Sequence, residues 1–298
     1  MSRLQQIGYL GIYWMGLLAY LIFPVVLHAA PITFNSAMPV TDNDVVYRLK
    51  TTTLRASVER WSLNRNLRVQ SLALVGAYGL NPDVALIGVV PYLDKEQTRS
   101  SWSSPRRAVG FGDVRGVVRY TAYRNNYHRG QTAVAPFVGL EMPNGEHDKD
   151  GLPRPLQLGS GSWDPSIGVV YQKAGFYVSQ FASLSYQDNT EADGFEFGDV
   201  FEVNYAYQRV LKAYRSGRSY SQLTGLVEIN LEDQEKHEKN GVPNPNTGGT
   251  SLYLSPGLQY VRSRRVLEVS VQLPLEQNRH GTALERDFLI TVGGRWNF

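Results

Sequence analysis

The sequence predicts an all-β chain that folds as a transmembrane up-and-down antiparallel β-barrel of about twelve strands. Its last eleven residues alternate between apolar and polar positions, and tight turns alternate with long polar loops along the chain. A single long apolar stretch stands at the N-terminus. Period-two alternation is typical of a strand between two different environments. A closed barrel pairs every backbone group and leaves no edge, as lipid requires.

The N-terminus predicts a cleaved secretory signal peptide over residues 1–29. Arg3 is the only charged residue before Asp42, an apolar run covers 7–27, and Ala29 offers a small-residue cleavage site. The alternative is a retained transmembrane helix, but Pro24 interrupts the run and no positive cluster follows it. Residues 30–43 would then be a periplasmic lead, and residues 44–298 the barrel.

Composition excludes several classes of protein. The chain has no cysteine, so it has no disulfide framework and no thiolate metal site. Its 30 Lys+Arg against 27 Asp+Glu point to no nucleic-acid partner. Eighteen tyrosines and 28 glycines fit a β-rich chain with many turns and with aromatic side chains at a membrane interface.

Alternating segments place the expected strands. They cover 45–58, 67–79, 82–93, 110–123, 131–142, 163–172, 175–186, 197–211, 219–232, 250–262, 265–276 and 286–298. The connections at 81–82, 173–175 and 262–264 are short, whereas those at 94–109, 143–162, 187–196 and 233–249 are long and polar. Short turns at one end and long loops at the other are typical of outer-membrane barrels, and an even strand count puts both termini on the periplasmic side.

Charged residues distinguish the lumen from the lipid face, because Arg or Lys facing lipid at mid-bilayer costs about 2–4 kcal/mol. We expect a uniformly apolar outer face and a polar lumen, in which glutamates and arginines could also pair and close the pore. The residues expected to line the lumen are Arg115, Arg119, Glu141, Glu202, Asn204, Gln208, Glu228, Asn230, Glu268, Gln272 and Arg295.

The C-terminus resembles the signal strand of bacterial outer-membrane barrels, with Gly293, Trp296 and a terminal Phe298. The resemblance implies recognition by the barrel-insertion machinery and residence in the outer membrane of a Gram-negative bacterium. The partners expected there are membrane lipid, lipopolysaccharide and a small-molecule solute.

Six stretches over roughly 82–298 carry a second resemblance. They are VVPYLDKE (89–96), FGDVR (111–115), GLPRPLQ (151–157), GSGSWDP (159–165), GFEFGD (194–199) and PGLQY (256–260). With these stretches the chain is similar to the outer-membrane transporter family associated with the meta-pathway of phenol degradation. The resemblance implies a barrel that takes up aromatic compounds, and it supplies no catalytic residue.

Other motifs are interpreted structurally. The acidic stretch 141–150 has no EF-hand spacing and one histidine, so it is interpreted as a solvated external loop. Residues 159–165 lack the features of a phosphate cradle and are read as a loop that returns to a strand at Asp164. The aromatic residues of 194–199 are interpreted as girdle residues. The histidines after the leader, His128, His147, His237 and His280, form no recognisable catalytic spacing.

These observations predict a passive porin-like channel for small, aromatic or hydrophobic compounds, without catalytic residues, metal or cofactor. The alternative is a non-conducting structural or adhesive barrel, and an outer-membrane lipid hydrolase comes third. Whether the 143–162 loop folds into the lumen as a constriction stays open at this point.

Overall fold

The computed structural model describes residues 32, 45–58, 65–149, 151–216 and 219–297. The expected signal peptide, most of the expected lead and Phe298 lie outside the described residues.

Within this part of the chain, seventeen β-segments and one short 3-10 helix, Arg154–Leu156, form. The segments are β1 (Val45–Val58), β2 (Arg65–Gly79), β3 (Val84–Arg99), β4 (Arg106–Phe111), β5 (Val114–Tyr120), β6 (Tyr123–Tyr127), β7 (Gly130–Met142), β8 (Asp164–Gly175), β9 (Val178–Gln187), β10 (Phe195–Glu196), β11 (Val200–Ser216), β12 (Ser219–Gln234), β13 (Glu238–Lys239), β14 (Val242–Pro243), β15 (Gly249–Arg262), β16 (Arg265–Arg279) and β17 (Glu285–Asn297).

The main sheet closes on itself. β1 pairs antiparallel with both β2 and β17, and each remaining strand pairs with its neighbours around the ring. β4 and β5 both pair with β3, and β5 and β6 both pair with β7. These three segments therefore act as one interrupted strand, so that the described residues form a closed ring of twelve strands. The predicted up-and-down barrel is confirmed.

The interrupted strand corrects two of the predicted boundaries. Residues 94–109 were expected as a long loop, yet β3 continues to Arg99 and pairs with β4 as far as the pair Gln97–Arg106. An ion pair of 2.6 Å between Arg107 and Asp94 lies across this ladder. Asp94 and Arg107, which were expected in a loop, are therefore partners across neighbouring strands. The connection between β3 and β4 covers only 100–105.

The outer surface of the ring is apolar. On β11, Phe201, Val203, Tyr205 and Tyr207 are each about two-fifths exposed, whereas Asn204 and Gln208 between them are buried. β16 behaves in the same way, with Leu267 and Val269 outside and Glu268 and Ser270 inside. This outward apolar belt suits lipid.

The interior is less uniform than expected. A cluster of buried apolar side chains covers one side of it: Val75, Ala77, Ala85, Ile87, Val117, Phe137 and Val170, with Val89 packed against them. The strands that carry them, β2, β3, β5, β7 and β8, are therefore apolar on both faces in this region. The expectation of a wholly polar lumen is wrong for this side, because these side chains pack against one another rather than meet water.

The two ends of the barrel differ. Tight turns join β6 to β7, β8 to β9 and β15 to β16 at one end, and the long connections gather at the other. Two of the long loops pair as a small sheet of β10, β13 and β14. No helix among the described residues is long and apolar enough to cross a membrane.

Candidate functional site

The long loop 143–162, here called the inward loop, folds over the interior. Lys95 lies on the inward face of β3, and its Nζ donates to the carbonyl of Gln157 at 2.5 Å. Leu156, Gln157 and Leu158 are each at most 5% exposed. The loop therefore packs against the barrel interior, which answers the question left open by the sequence.

Asp113 fixes both ends of the inward loop. Its carboxylate accepts from the Gly145 N–H at 2.7 Å and from the Ser160 N–H at 2.6 Å. The two halves of the loop meet at Gly145 and Gly159, where a Cβ on Gly159 would lie 2.7 Å from the Gly145 carbonyl oxygen. Only glycine permits this approach. Asp113 fills the break between β4 and β5, so that the break in the strand anchors the loop.

A cavity of about 770 Å³, here called the vestibule, opens beside the inward loop. Its walls come from the inward loop, from the small sheet, and from β15, β16 and β17 near the end of the barrel where the long loops gather. They combine basic and apolar side chains, namely Leu67, Arg99, Arg154, Pro155, Phe195, Lys239, Arg279, Leu284 and Arg286, with amides and hydroxyls such as those of Gln97, Asn244, Asn246 and Thr247.

Two β-bulges direct arginines into the vestibule. The pairing of β15 with β16 passes from Tyr253–Pro274 to Leu252–Glu276, so Leu275 is the extra residue. On β17 the pairing with β1 passes over Asp287. On the far side of a bulge, the residues whose side chains face inward are those that simple alternation would place outside. Arg279 and Arg286 consequently lie inside, where simple alternation would place neither.

A second cavity of about 340 Å³, the inner cavity, lies deeper between β5, β7, β9, β11 and β12. Arg115 projects into it and donates to Glu141 at 2.7 Å and to Gln187 at 2.5 Å. Glu202 and Glu232 line the same space. The Glu232 carboxylate contacts Arg286 at 3.2 Å and Arg279 at 3.8 Å. The two cavities therefore meet at this cluster of ion pairs.

A connected polar network fills the barrel below the ion pairs. Arg286 donates to Gln272 at 2.9 Å, and Gln272 donates to Asn230 at 3.0 Å. Asn230 donates to Asn204 at 2.9 Å, which in turn donates to Ser183 at 3.2 Å. Amides that satisfy one another in this way hold the interior in a single arrangement.

Glu228 is completely buried inside the barrel. Its Oε1 accepts from the backbone N–H of Ile32 at 2.6 Å. Ile32 is itself completely buried. A residue from the region before β1 therefore lies inside the barrel against β12.

The residues expected to line the lumen lie on the inward faces of their strands. Those at most 6% exposed are Arg119, Asn204, Gln208, Glu228, Asn230, Glu268, Gln272 and Arg295. The remaining three, Arg115, Glu141 and Glu202, line the inner cavity. Arg115 pairs with Glu141 at 2.7 Å.

Sequence reasoning missed Lys95, Asp113, Glu232, Arg279 and Arg286. Continuing the alternation of β12 beyond Glu228 and Asn230 would have found Glu232. No periodic signal marks the two arginines, because the bulges that turn them inward leave no pattern in the sequence.

An aromatic cluster supports the small sheet above the vestibule. His237 lies 5.9 Å from Phe195 and 5.2 Å from Phe197 between ring centroids. Its Nδ1 accepts from the Gly198 N–H at 2.9 Å. Burial, with a smaller contribution from Arg279, lowers the pKa of His237 to about 4. Phe195 thus lines the vestibule, which differs from the girdle role expected for it.

The other polar motifs remain peripheral. In the acidic stretch, Glu146 pairs with Lys149 at 3.3 Å, and His147 lies 3.5 Å from Asp193. Among the described residues, no group of three or more His, Cys, Asp or Glu side chains could hold a metal ion.

In the C-terminal strand Gly293 is buried, and Trp296 lies outside with its ring over Gly294.

These features define the fold as an outer-membrane β-barrel with an occluding inward loop. Among solved structures, the COG4313 outer membrane channel from Pseudomonas putida F1 is similar with a TM-score of 0.66 and 14% identity, over 90% of this chain and 100% of the channel. The β domain of the Bordetella autotransporter BrkA is similar with a TM-score of 0.47 and 10% identity, over 86% of this chain and 100% of that domain. No protein-family model matches the sequence. No curated protein matches it either.

Proposed function

We propose that this chain is an outer-membrane channel for the passive uptake of small aromatic or hydrophobic compounds. The observation that carries the proposal is the pair of cavities inside the barrel, separated by the Glu232 ion pairs. Val117 and Phe137 line the inner cavity and give a hydrophobic solute one wall, and the polar network on the opposite strands gives water and polar groups another.

The resemblance to the phenol-degradation transporter family and the likeness to an outer membrane channel support this proposal. The expected signal peptide, the assembly signal at Gly293, Trp296 and Phe298, and the contacts with lipopolysaccharide belong to the same proposal. They would deliver the chain to the outer membrane of a Gram-negative bacterium with its long loops outside.

The second candidate function is a non-conducting barrel whose external loops serve adhesion or assembly. The near-complete burial around Glu228 and Ile32 favours it, because that level leaves little room for a solute.

Single-channel recording of the purified protein in a planar bilayer separates these functions. Steady conductance, together with faster uptake of a phenolic tracer by cells that carry the protein, supports the channel. Silence in the bilayer and equal uptake in both strains would favour the structural barrel, and hydrolysis of lipid by the same sample would favour an enzyme.

A further inference from the structure

The vestibule has an unusual composition for the mouth of a simple pore, since it joins several arginines to an apolar wall. We propose that it is a binding site for small aromatic carboxylates, molecules with one planar ring and one carboxylate group. This inference deepens the proposed uptake function, on which it rests, by assigning a ligand class to one site.

The charge of the vestibule favours an anion. The basic side chains among its described lining residues are Arg99, Arg154, Lys239, Arg279 and Arg286, and the acidic one is Asp193. Asp193 already faces Arg154 at 3.3 Å, and Glu232 is shared between Arg279 and Arg286. The nearby carboxylates therefore balance only part of the positive charge, and an entering anion would meet a positive field.

Arginine geometry favours a carboxylate in particular. The planar guanidinium offers parallel donors that match the two oxygens of a carboxylate. Arg99, Arg154, Arg279 and Arg286 all line the vestibule. A ligand carboxylate there would find guanidinium donors on more than one wall.

The remaining walls favour a ring. Leu67, Pro155, Leu284 and the half-buried Phe195 contribute apolar surface. His237 adds an aromatic ring that is neutral at pH 7, since its pKa is about 4. An inorganic anion would leave this apolar surface in contact with water, and a neutral aromatic would leave the excess positive charge of the vestibule unbalanced. The volume, about 770 Å³, lies within the usual range for small-molecule pockets.

The test is equilibrium binding to the full-length protein in detergent, measured by calorimetry with benzoate, benzyl alcohol and inorganic phosphate as probes. We expect saturable binding of benzoate and at least roughly tenfold weaker binding of the other two, since a hydrogen bond to a charged group contributes about 1.5–3 kcal/mol. Equal binding of benzoate and benzyl alcohol, equal binding of benzoate and phosphate, or no binding of benzoate would each overturn the inference.

A matched pair of variants locates the site. Lys239→Gln removes a charge from the vestibule wall, whereas Lys236→Gln removes the same charge from an exposed position in the same loop. We expect Lys239→Gln to raise the Kd of benzoate and Lys236→Gln to leave it unchanged, and we expect Lys239→Gln combined with Arg99→Gln to raise it roughly tenfold or more. Equal effects of Lys236→Gln and Lys239→Gln on the Kd would show that benzoate responds to the general positive charge of the surface, and the proposed site would be wrong.

The binding and conductance measurements test the ligand assignment and the channel proposal independently. If benzoate binds as expected while the bilayer stays silent, the vestibule site stands and the channel proposal fails. If the protein conducts but does not bind benzoate, the channel stands and the ligand assignment is wrong.

Discussion

Arg286 and Glu232 join the two cavities of the barrel. Arg286 lines the vestibule, Glu232 lines the inner cavity, and the guanidinium donates to the carboxylate at 3.2 Å. Both side chains are about one-fifth exposed, so that the pair is partly shielded from water, and there a charge has a stronger effect on a nearby ion than at the open surface.

Removing the negative charge of this pair should change ion selectivity. In Glu232→Gln, Arg279 and Arg286 lose their shared counter-charge, so the reversal potential in a salt gradient should shift toward anion preference. Glu235→Gln removes one charge from an exposed loop position and serves as the control. If the two variants show the same reversal potential, the ion pair does not lie on the conduction path.

Release of the inward loop should widen the pore. Asp113→Ala removes the carboxylate that accepts from Gly145 and Ser160, and each such hydrogen bond contributes about 1.5–3 kcal/mol. We expect larger single-channel conductance with more frequent fluctuations. Asp148→Ala, an exposed change in the same loop, should conduct like the parent protein. Unchanged conductance in Asp113→Ala would show that this loop does not restrict the path.

Neighbouring positions on β9 test which face meets lipid. Leu184 is 43% exposed on the outer face, whereas Ser185 lines the inner cavity and donates to Glu202 at 3.3 Å. Leu184→Arg should lower the free energy of unfolding by about 2–4 kcal/mol if it lies near mid-bilayer. Ser185→Arg should cost less, because the cavity and Glu202 accommodate the charge. Denaturant titration of the protein in lipid vesicles measures both, and the reverse order would mean that the faces are misassigned.

Acidification should loosen the small sheet above the vestibule. The pKa of His237 is about 4 in the folded protein and near 6.5 when the residue is exposed. The exposed form therefore binds more protons below pH 6.5, and the packing of His237 loses stability as the pH falls from about 6.5 to 4. Hydrogen exchange of the Gly198 amide should be faster at pH 5 than at pH 7.5 after correction for the intrinsic rate.

His237→Gln provides the control for this experiment, because glutamine can accept the same hydrogen bond but does not titrate. The corrected exchange rate in this variant should not depend on pH. An equal pH response in both proteins would assign the effect to another group.

The chain terminus should govern assembly. Phe298→Asp should reduce the amount of protein in the outer membrane, since the terminal aromatic resembles an insertion signal. Phe176→Asp changes an aromatic residue that is 44% exposed in a tight turn and tests the loss of an ordinary exposed aromatic. Quantitative blotting of outer-membrane fractions compares them, and equal levels of the two variants would remove the special role of Phe298.

The sequence predicted the strands whose two faces differ chemically. The two faces of β11 and β16 were assigned correctly because phenylalanine, tyrosine, leucine and valine alternate with glutamate, asparagine and glutamine, and a one-residue slip would put charges into lipid. The bounds of β11 were less accurate, since it covers Val200–Ser216 and not 197–211. β1, Val45–Val58, coincides with the predicted span. The boundaries of β3 and β4 were wrong because Asp94 and Arg107 read as loop residues when each is considered without its partner.

The vestibule could not be predicted in this way. Its residues come from strands and loops far apart in the chain, and Arg279 and Arg286 face it only because bulges at Leu275 and Asp287 reverse the alternation. The inward position of the 143–162 loop likewise depends on Asp113, whose role appears only when the ends of the loop are brought together.

The apolar cluster inside the barrel also bears on how the chain reaches the membrane. Residues 71–79 of β2 and 84–93 of β3, which include Val75 and Ile87, carry no charged side chain, so before insertion they present adhesive β-segments. Such segments self-associate readily when they are exposed in water. The hairpin of β2 and β3 should therefore depend more on periplasmic chaperones than β11, β12 and β16, where glutamates interrupt the apolar alternation.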